Sequence, residues 1–177
     1  MAVSAKVWTL AELDALPEDG NRYELVHGEL LVSPGPAPSH EEIVRRLHEL
    51  LAPFVAKHRL GAIYRPRAVV QHGGDQVEPD LQVRAQLPMA ARWADAPAPT
   101  LVVEVLSPSD TAARQVLKRE FYREVGVAEY WVVDAMNRTI TMFESDGMVL
   151  VDRVLQWHPL AASEVLTIEL EELFRDA

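Results

Sequence analysis

The chain has 177 residues, of which 49% are hydrophobic and 25% charged, as in an ordinary globular protein. It contains no cysteine, which excludes disulfides, thiolate metal sites and a cysteine nucleophile. The formal net charge of −10 argues against a uniformly basic surface of the kind that binds nucleic acid.

The length and the lack of internal repeats predict a single domain over residues 1–177. No stretch approaches the roughly 20 apolar residues that a bilayer-crossing helix needs. The N-terminus lacks the basic start and the apolar run of a signal peptide. We therefore expect a cytoplasmic protein without a membrane partner.

The first predicted elements are a short helix and a hairpin. The helix is capped by Thr9 and ends near Pro17. Strands at 22–26 and 29–33 flank a turn at His27-Gly28.

A long helix follows a proline-rich loop. Ser39 and Glu42 have the spacing of a capping box. Pro53 is expected to kink this helix or to end it early. Apolar residues recur at helical spacing and predict one buried face: Ile43, Leu47, Leu50, Leu51 and Phe54.

The middle of the chain predicts three strands. Residues 62–71 form the first, closed by Gly73-Gly74, and residues 77–84 form its neighbour. A loop rich in proline and alanine, 85–99, precedes the aliphatic run 101–106, which is typical of a buried strand.

A second helix opens at 107–110 and runs to about Val125, where Gly126 stops it. A strand at 129–134, a meander at 139–143 and 148–154, and a short helix at Leu173-Phe174 complete the chain. This order predicts an α/β (α+β) fold, with a mixed sheet flanked by helices, an N-terminal hairpin and a C-terminal meander.

Glu104 is anomalous because it stands among aliphatic residues only, in 101–106. A lone buried carboxylate is costly unless it takes up a proton or meets a cation. Glu104 can instead end a strand facing water, or pair with Arg65 or Arg67 in a structural ion pair that binds no metal.

Asp80 makes a metal site the stronger interpretation. If the strands 77–84 and 101–106 are neighbours, alternation of side chains brings Asp80 and Glu104 together. A divalent cation relieves the repulsion between two carboxylates, and hard oxygen ligands favour Mg²⁺ or Mn²⁺.

Two further side chains are candidates for chemistry. Lys118 lies at the edge of the buried face of the second helix, near Tyr122, although a surface lysine fits the pattern equally well. His40 falls on the core-facing side of the first long helix, where it can contact a phosphate or simply pack. Glu42 fits the capping box.

The basic residues cluster in one part of the chain. Four are candidates for contacts with phosphates: Arg45, Arg46, Arg65 and Arg67. An ordinary solvated helix face explains the same residues as well.

Several strings of the sequence, in this order and spacing, resemble the Uma2 family, formerly DUF820, of restriction-endonuclease-like proteins. The strings are Tyr23-Glu-Leu-Val-His-Gly-Glu-Leu, Pro79-Asp80, Leu101-Val-Val-Glu-Val-Leu-Ser-Pro-Ser and Lys118…Tyr122…Gly126-Val-Ala-Glu-Tyr-Trp-Val-Val-Asp.

The resemblance implies a PD-(D/E)XK core with Asp80 as its first acid and Glu104 as its second. The position of the usual lysine, two residues after the second acid, holds Leu106, which makes Lys118 the natural replacement. Glu24 and Glu29 fit the family string and are either structural or close to the substrate. The resemblance also leaves Glu42 a second role beside the capping box, because acids on this helix assist metal binding in related folds.

The favoured hypothesis is an endonuclease that hydrolyses DNA with Mg²⁺ or Mn²⁺ held by Asp80, Glu104 and the carbonyl of Val105. Lys118 and His40 complete the catalytic residues, and Tyr122 faces the substrate. Specificity for a DNA sequence would come from loops, a homodimer or a partner. The alternative is an inactive module with the nuclease fold that binds nucleic acid or protein.

Overall fold

The computed structural model describes residues 6–145 and 147–176. The predicted lack of a signal peptide concerns residues that lie partly outside these ranges. The helices are α1 (Leu10–Asp14), α2 (Pro38–Lys57), α3 (Ala112–Val125) and α4 (Leu170–Leu173). The strands are β1 (Arg22–Val26), β2 (Glu29–Ser33), β3 (Ala62–Tyr64), β4 (Val70–His72), β5 (Asp75–Val77), β6 (Leu81–Arg84), β7 (Leu101–Val105), β8 (Glu129–Asp134), β9 (Thr139–Glu144), β10 (Gly147–Val151), β11 (Val154–Trp157) and β12 (Leu166–Glu169).

A six-stranded mixed sheet with the order β10-β9-β8-β7-β6-β3 organises the fold. β7 and β8 are parallel and are joined by α3, while the other neighbours in this sheet are antiparallel. A second sheet has the order β2-β1-β5-β4, and β11 pairs with β12. The predicted mixed sheet with a helical crossover is therefore confirmed.

The two faces of β7 belong to different parts of the core. Val103 packs in the cluster that contains Leu47 of α2, whereas Val102 packs in the cluster that contains Phe121 of α3. Because side chains alternate along a strand, Glu104 lies on the α3 side of the sheet.

The start of α2 differs from the prediction. The helix begins at Pro38 with Ala37 as N-cap, and neither Ser39 nor any other side chain caps it. Proline suits the first helical position because its fixed φ matches the helix and because an N–H at this position would have no acceptor within the helix. The Glu42 side chain turns to Arg45 and Arg46 instead of forming a capping box. The helix also continues past Pro53 to Lys57, so the early end was wrong.

Two predicted strands are each divided. Residues 62–71 break at 65–69, where Pro66 lies and Arg67 has a φ of +78°. Residues 77–84 break at Pro79, which cannot donate a ladder hydrogen bond. β3 and β6 consequently belong to the six-stranded sheet, while β4 and β5 belong to the other.

Other boundaries agree with the sequence. The hairpin strands β1 and β2 and the strand β8 have the predicted limits, and Gly126 ends α3 with a φ of +84°. The predicted stretch 148–154 divides into β10 and the start of β11. Among the described helices, none is long and apolar enough to span a bilayer. The single domain over 1–177 stays a prediction.

Candidate active site

Asp80 and Glu104 meet where β6 and β7 lie side by side. The register pairs Leu81 with Val103, so the next residues outward, Asp80 and Glu104, stand opposite each other. The Val105 N–H donates to Asp80 Oδ2 over 2.8 Å. Both carboxylates are buried. The structure thus brings together the two acids that the sequence singled out.

Asp80 is surrounded by hydrogen-bond donors. Arg22 Nη1 donates to Asp80 Oδ1 over 2.7 Å, and His40 Nε2 lies 3.2 Å from Asp80 Oδ2. Burial alone would raise the pKa of Asp80, but His40, the Arg22 charge and the Val105 N–H outweigh it and lower the pKa to about 2. Asp80 is therefore a carboxylate at neutral pH.

Glu104 lies deeper, against α3. Lys118 Nζ is 3.0 Å from both of its oxygens, and the Tyr122 hydroxyl donates to Oε1 over 2.5 Å. Burial raises the pKa of Glu104 to about 7; Lys118 opposes this, and the charges of Glu24 and Asp80 add to it. A second cation close by would favour the ionised form of Glu104.

Lys118 joins two glutamates. Its Nζ also lies 2.9 Å from Glu24 Oε2, so the three ammonium donors face three carboxylate oxygens. Burial would lower the pKa of Lys118, but Glu104 and Glu24 raise it above its usual value. Glu24 is in turn fixed by the Glu78 N–H, 2.9 Å from Oε1. The structure thus gives Glu24 a role that the sequence left open.

His40 stands in the first turn of α2 and faces the core, as its place in the helix predicted. Its Nε2 is 3.1 Å from the Val105 carbonyl and 3.2 Å from Asp80 Oδ2. Burial lowers the pKa of His40, but the hydrogen bond and charge of Asp80 raise it overall. A proton on Nε2 lies between two oxygens that the metal hypothesis assigns to a cation.

An open cleft of about 1250 Å³ leads to this site. Arg22, His40, Asp80 and Val105 line it, whereas Glu104 and Lys118 lie behind it. Its lining holds more acids than bases. Besides Asp80, the acids are Asp14, Glu18, Glu41, Glu78, Asp110 and Asp134, and the arginines are Arg22 and Arg67.

The predicted phosphate contacts are spread over the surface. Arg45 pairs with Glu42 and Glu49 on the outside of α2. Arg46 binds Glu42 and the carbonyls of residues 173 and 175, which ties α2 to the end of the chain. Neither lines the cleft. Arg65 and Arg67 are exposed, and Arg67 alone of the four borders the cleft.

Two other expectations change with the structure. Tyr122 is buried and donates to Glu104, so it supports the site from behind and does not face the cleft. The alternative ion pair of Glu104 with Arg65 or Arg67 is wrong, because its cation is Lys118. Glu29 is exposed at the start of β2, away from these contacts.

Arg22 was missed by the sequence analysis. It begins β1, and its contact with Asp80 spans 58 positions of the chain. The only signal was its place immediately before the Tyr23-Glu-Leu-Val string, and nothing in that string indicates which strand lies beside β1.

The donor set fits a hard divalent cation. The available ligands are the carboxylates of Asp80 and Glu104 and the Val105 carbonyl, which are all oxygens. Three buried carboxyl groups (Asp80, Glu104 and Glu24) face two permanent cations, Arg22 and Lys118, and the imidazole of His40. Among the described residues, no three His, Cys, Asp or Glu side chains form a metal cluster. A site here would need the backbone carbonyl.

A mixed sheet carrying two acids at the ends of adjacent strands, with a lysine behind them, defines a protein of the restriction-endonuclease-like fold. The model of the Uma2 family, described as a putative restriction endonuclease, matches residues 10–174. The chain belongs to the Uma2 family, and the description of that family supports a nuclease-like function.

A solved structure supports the fold. It is described as a putative nuclease belonging to DUF820 from Anabaena variabilis, and it superposes with a TM-score of 0.77 at 19% identity. The match covers 94% of this chain and 97% of that one. No curated protein matches this chain.

Proposed function

We propose that this protein is an endonuclease that hydrolyses phosphodiester bonds of DNA with Mg²⁺ or Mn²⁺. One observation carries the proposal: Asp80, immediately before β6, and Glu104 of β7 stand at opposite positions of these neighbouring strands, beside Val105, and Asp80 lines an open cleft. Restriction-endonuclease-like proteins generally use divalent metals, which supports this assignment.

Asp80, Glu104 and the Val105 carbonyl would hold the cation. When bound, the cation supplies positive charge and Lewis acidity at the scissile phosphate. Lys118 favours the ionised form of Glu104 and fixes its direction through two contacts of 3.0 Å. His40 lines the cleft with Nε2 3.1 Å from the Val105 carbonyl, and its ring would be within reach of a group that binds there.

A second candidate is an inactive module with the nuclease fold that binds nucleic acid or protein. One observation favours it: both oxygens of Glu104 are already held by Lys118 and Tyr122, so a cation has to share this carboxylate. In that case Lys118 and Glu104 form a structural ion pair.

The test is a Mn²⁺ titration by calorimetry, followed by incubation of supercoiled plasmid and single-stranded DNA with Mg²⁺ or Mn²⁺. The wild type is expected to bind Mn²⁺ and cut DNA, and Glu104→Gln to lose both. Glu49→Gln is the matched control because it removes an exposed glutamate of α2 that pairs with Arg45. If the wild-type protein bound neither Mn²⁺ nor DNA, the proposal would be wrong.

Mn²⁺ binding without cleavage would favour the inactive module. The phosphate contacts of Arg65 and Arg67, the homodimer and the cytoplasmic location stay predictions. With no recognition domain apparent in the sequence, selection of a DNA site would depend on loops, a second copy or a partner.

A further inference from the structure

Arg22 differs from the other cation of the site in its access to the cleft. Its side chain is 20% exposed and lines the cleft, whereas that of Lys118 is 6% exposed and lies behind the carboxylates. Any ligand that enters the cleft therefore meets Arg22 before it can reach Lys118.

The two cations also differ in the hydrogen-bond donors that they have left for a ligand: Lys118 has none, whereas Arg22 has some. Lys118 has three donors and three carboxylate acceptors, so none is left for a ligand. Arg22 uses only Nη1, which donates to Asp80 Oδ1 over 2.7 Å and to the Glu78 carbonyl over 3.2 Å. Within residues 6–145 and 147–176, its Nε and Nη2 groups have no acceptor.

A guanidinium with free donors beside an open cleft suits a phosphate. The planar fork of arginine matches two oxygens of a phosphate group, and the interaction is charge-assisted. Apart from Arg22, the cleft lining includes only one arginine, Arg67, among at least seven acids. Arg22 is also the one that touches Asp80, the proposed metal ligand.

Through its contact with Asp80, Arg22 would compete with a cation for that carboxylate. Arg22 holds Oδ1, while the Val105 N–H and His40 hold Oδ2, so both oxygens are occupied by donors. A divalent cation on this carboxylate would repel the guanidinium a few ångströms away. This repulsion would favour a shift of the Arg22 guanidinium from Asp80 to an anion in the cleft.

We propose that Arg22 is the phosphate-binding residue of this site and that it exchanges Asp80 for a DNA phosphate when a divalent cation occupies the carboxylates. This rests on the proposed function. Arg22 thus competes with the cation for Asp80 and cooperates with it on DNA. Removing Arg22 has opposite effects on the two affinities, which a merely structural role does not produce.

The experiment compares wild type, Arg22→Gln, Arg22→Lys and the control Arg92→Gln. Arg92 pairs with Asp95 over 2.9 Å, but this pair is exposed and lies outside the cleft. Calorimetry measures Mn²⁺ affinity without DNA. Anisotropy of a short fluorescein-labelled duplex measures DNA affinity in Ca²⁺ at several salt concentrations, and plasmid cleavage is followed in Mn²⁺.

Arg22→Gln is expected to bind Mn²⁺ roughly tenfold more tightly, because a positive charge beside the ion is removed. Its DNA affinity is expected to fall with a salt slope smaller by about 1, and its cleavage by roughly a hundredfold. Arg22→Lys keeps the charge but not the fork, so it should bind Mn²⁺ like wild type and lie between the two in DNA affinity and cleavage. Arg92→Gln should match wild type in all three measurements.

Weaker Mn²⁺ binding by both Arg22 variants at unchanged melting temperature would overturn the inference, as would wild-type DNA affinity and cleavage in Arg22→Gln. If Arg22→Gln unfolds, Arg22→Lys decides through its DNA affinity and cleavage, which should both fall because the fork is lost. A wild type that binds no Mn²⁺ would instead overturn the proposed function, and the Arg22 inference with it. The two failures are therefore distinguishable.

Discussion

At the scale of single residues, the site is a set of buried charges that neutralise one another. Lys118 illustrates this because its side chain is buried and its ammonium group bridges Glu24 and Glu104. Removing one partner of a buried ion pair leaves the other charge uncompensated, which costs far more than loss of a surface pair.

Lys118→Met is therefore expected to destabilise the protein by about 4 kcal/mol, against at most about 1 kcal/mol for Lys57→Met. Lys57 is the matched control, since it pairs with Glu164 over 2.6 Å with both side chains more than half exposed. Urea unfolding measures both. Equal losses in the two variants would show that the buried ammonium does not hold the glutamates.

Asp80 links the site to the stability of the fold through pH. Its pKa falls from an ordinary 3.8 to about 2 on folding, so the folded state binds this proton less tightly than the unfolded state does. A depressed pKa contributes stability that is fully present above about pH 4 and is lost as the pH falls towards 2.

Asp80→Asn is thus expected to lose about 2 kcal/mol at neutral pH, and the gap to wild type should close between pH 4 and pH 2. Denaturant unfolding at several pH values measures it. Asp95→Asn, at an exposed aspartate, should follow wild type throughout. A gap that is the same at pH 7 and at pH 2 would contradict the depressed pKa.

Sequence alone could find the acids but not their partners. Glu104 was visible because a carboxylate in an aliphatic strand needs a cation, and Asp80 because alternation puts both acids on one face. Arg22 and Glu24 reach the site from β1, which belongs to another sheet. No periodicity within β1 encodes the contact between those two sheets.

At the scale of elements, the limits of strands that lie between clear turn signals were predictable. β1, β2 and β8 have their predicted limits, whereas 62–71 and 77–84 each cross from one sheet to the other. The hydrophobic alternation continues through both breaks. Only Pro66 and Pro79 mark them, and a single proline is also compatible with an edge strand.

The start of β3 is fixed by the close approach of the backbone at Gly61 to the backbone of β6. Gly61, which precedes β3, has a φ of +114°, and a Cβ there would lie 2.1 Å from the Arg84 carbonyl oxygen of β6. Gly74 has a φ of +96° but nothing within 4 Å of an added Cβ. The two glycines share the unusual backbone and differ in the space around them.

Gly61→Ala is expected to destabilise the protein by about 3 kcal/mol, and Gly74→Ala by about 1 kcal/mol, because only the first adds a backbone clash to the strain. Thermal and urea unfolding of both variants check this. If Gly61→Ala were no worse than Gly74→Ala, the tight contact between the Gly61 turn and β6 would be refuted.

At the scale of the whole molecule, charge opposes the proposed substrate. The net charge is −10, and the cleft lining is dominated by carboxylates. Two of the arginines that the sequence proposed for phosphate contacts, Arg45 and Arg46, also pair with glutamates of α2. If the proposed function holds, the cleft should attract DNA only weakly until a divalent cation neutralises its floor.

This reverses the usual effect of Mg²⁺ on DNA binding. With a basic surface, added Mg²⁺ weakens binding because it competes for the phosphates. Here Mg²⁺ is expected to strengthen DNA binding at least about tenfold over EDTA at the same ionic strength, since the ion supplies charge that the protein lacks.

Anisotropy of labelled duplex DNA, measured with Ca²⁺ in place of Mg²⁺ to avoid cleavage, checks the sign of the effect. Asp80→Asn should bind DNA equally weakly with and without the cation, because the missing carboxylate removes a ligand. Tight binding in EDTA that Ca²⁺ only diminishes would mean that DNA is held on another, basic face. The cleft with Asp80 and Glu104 would then not be where the substrate lies.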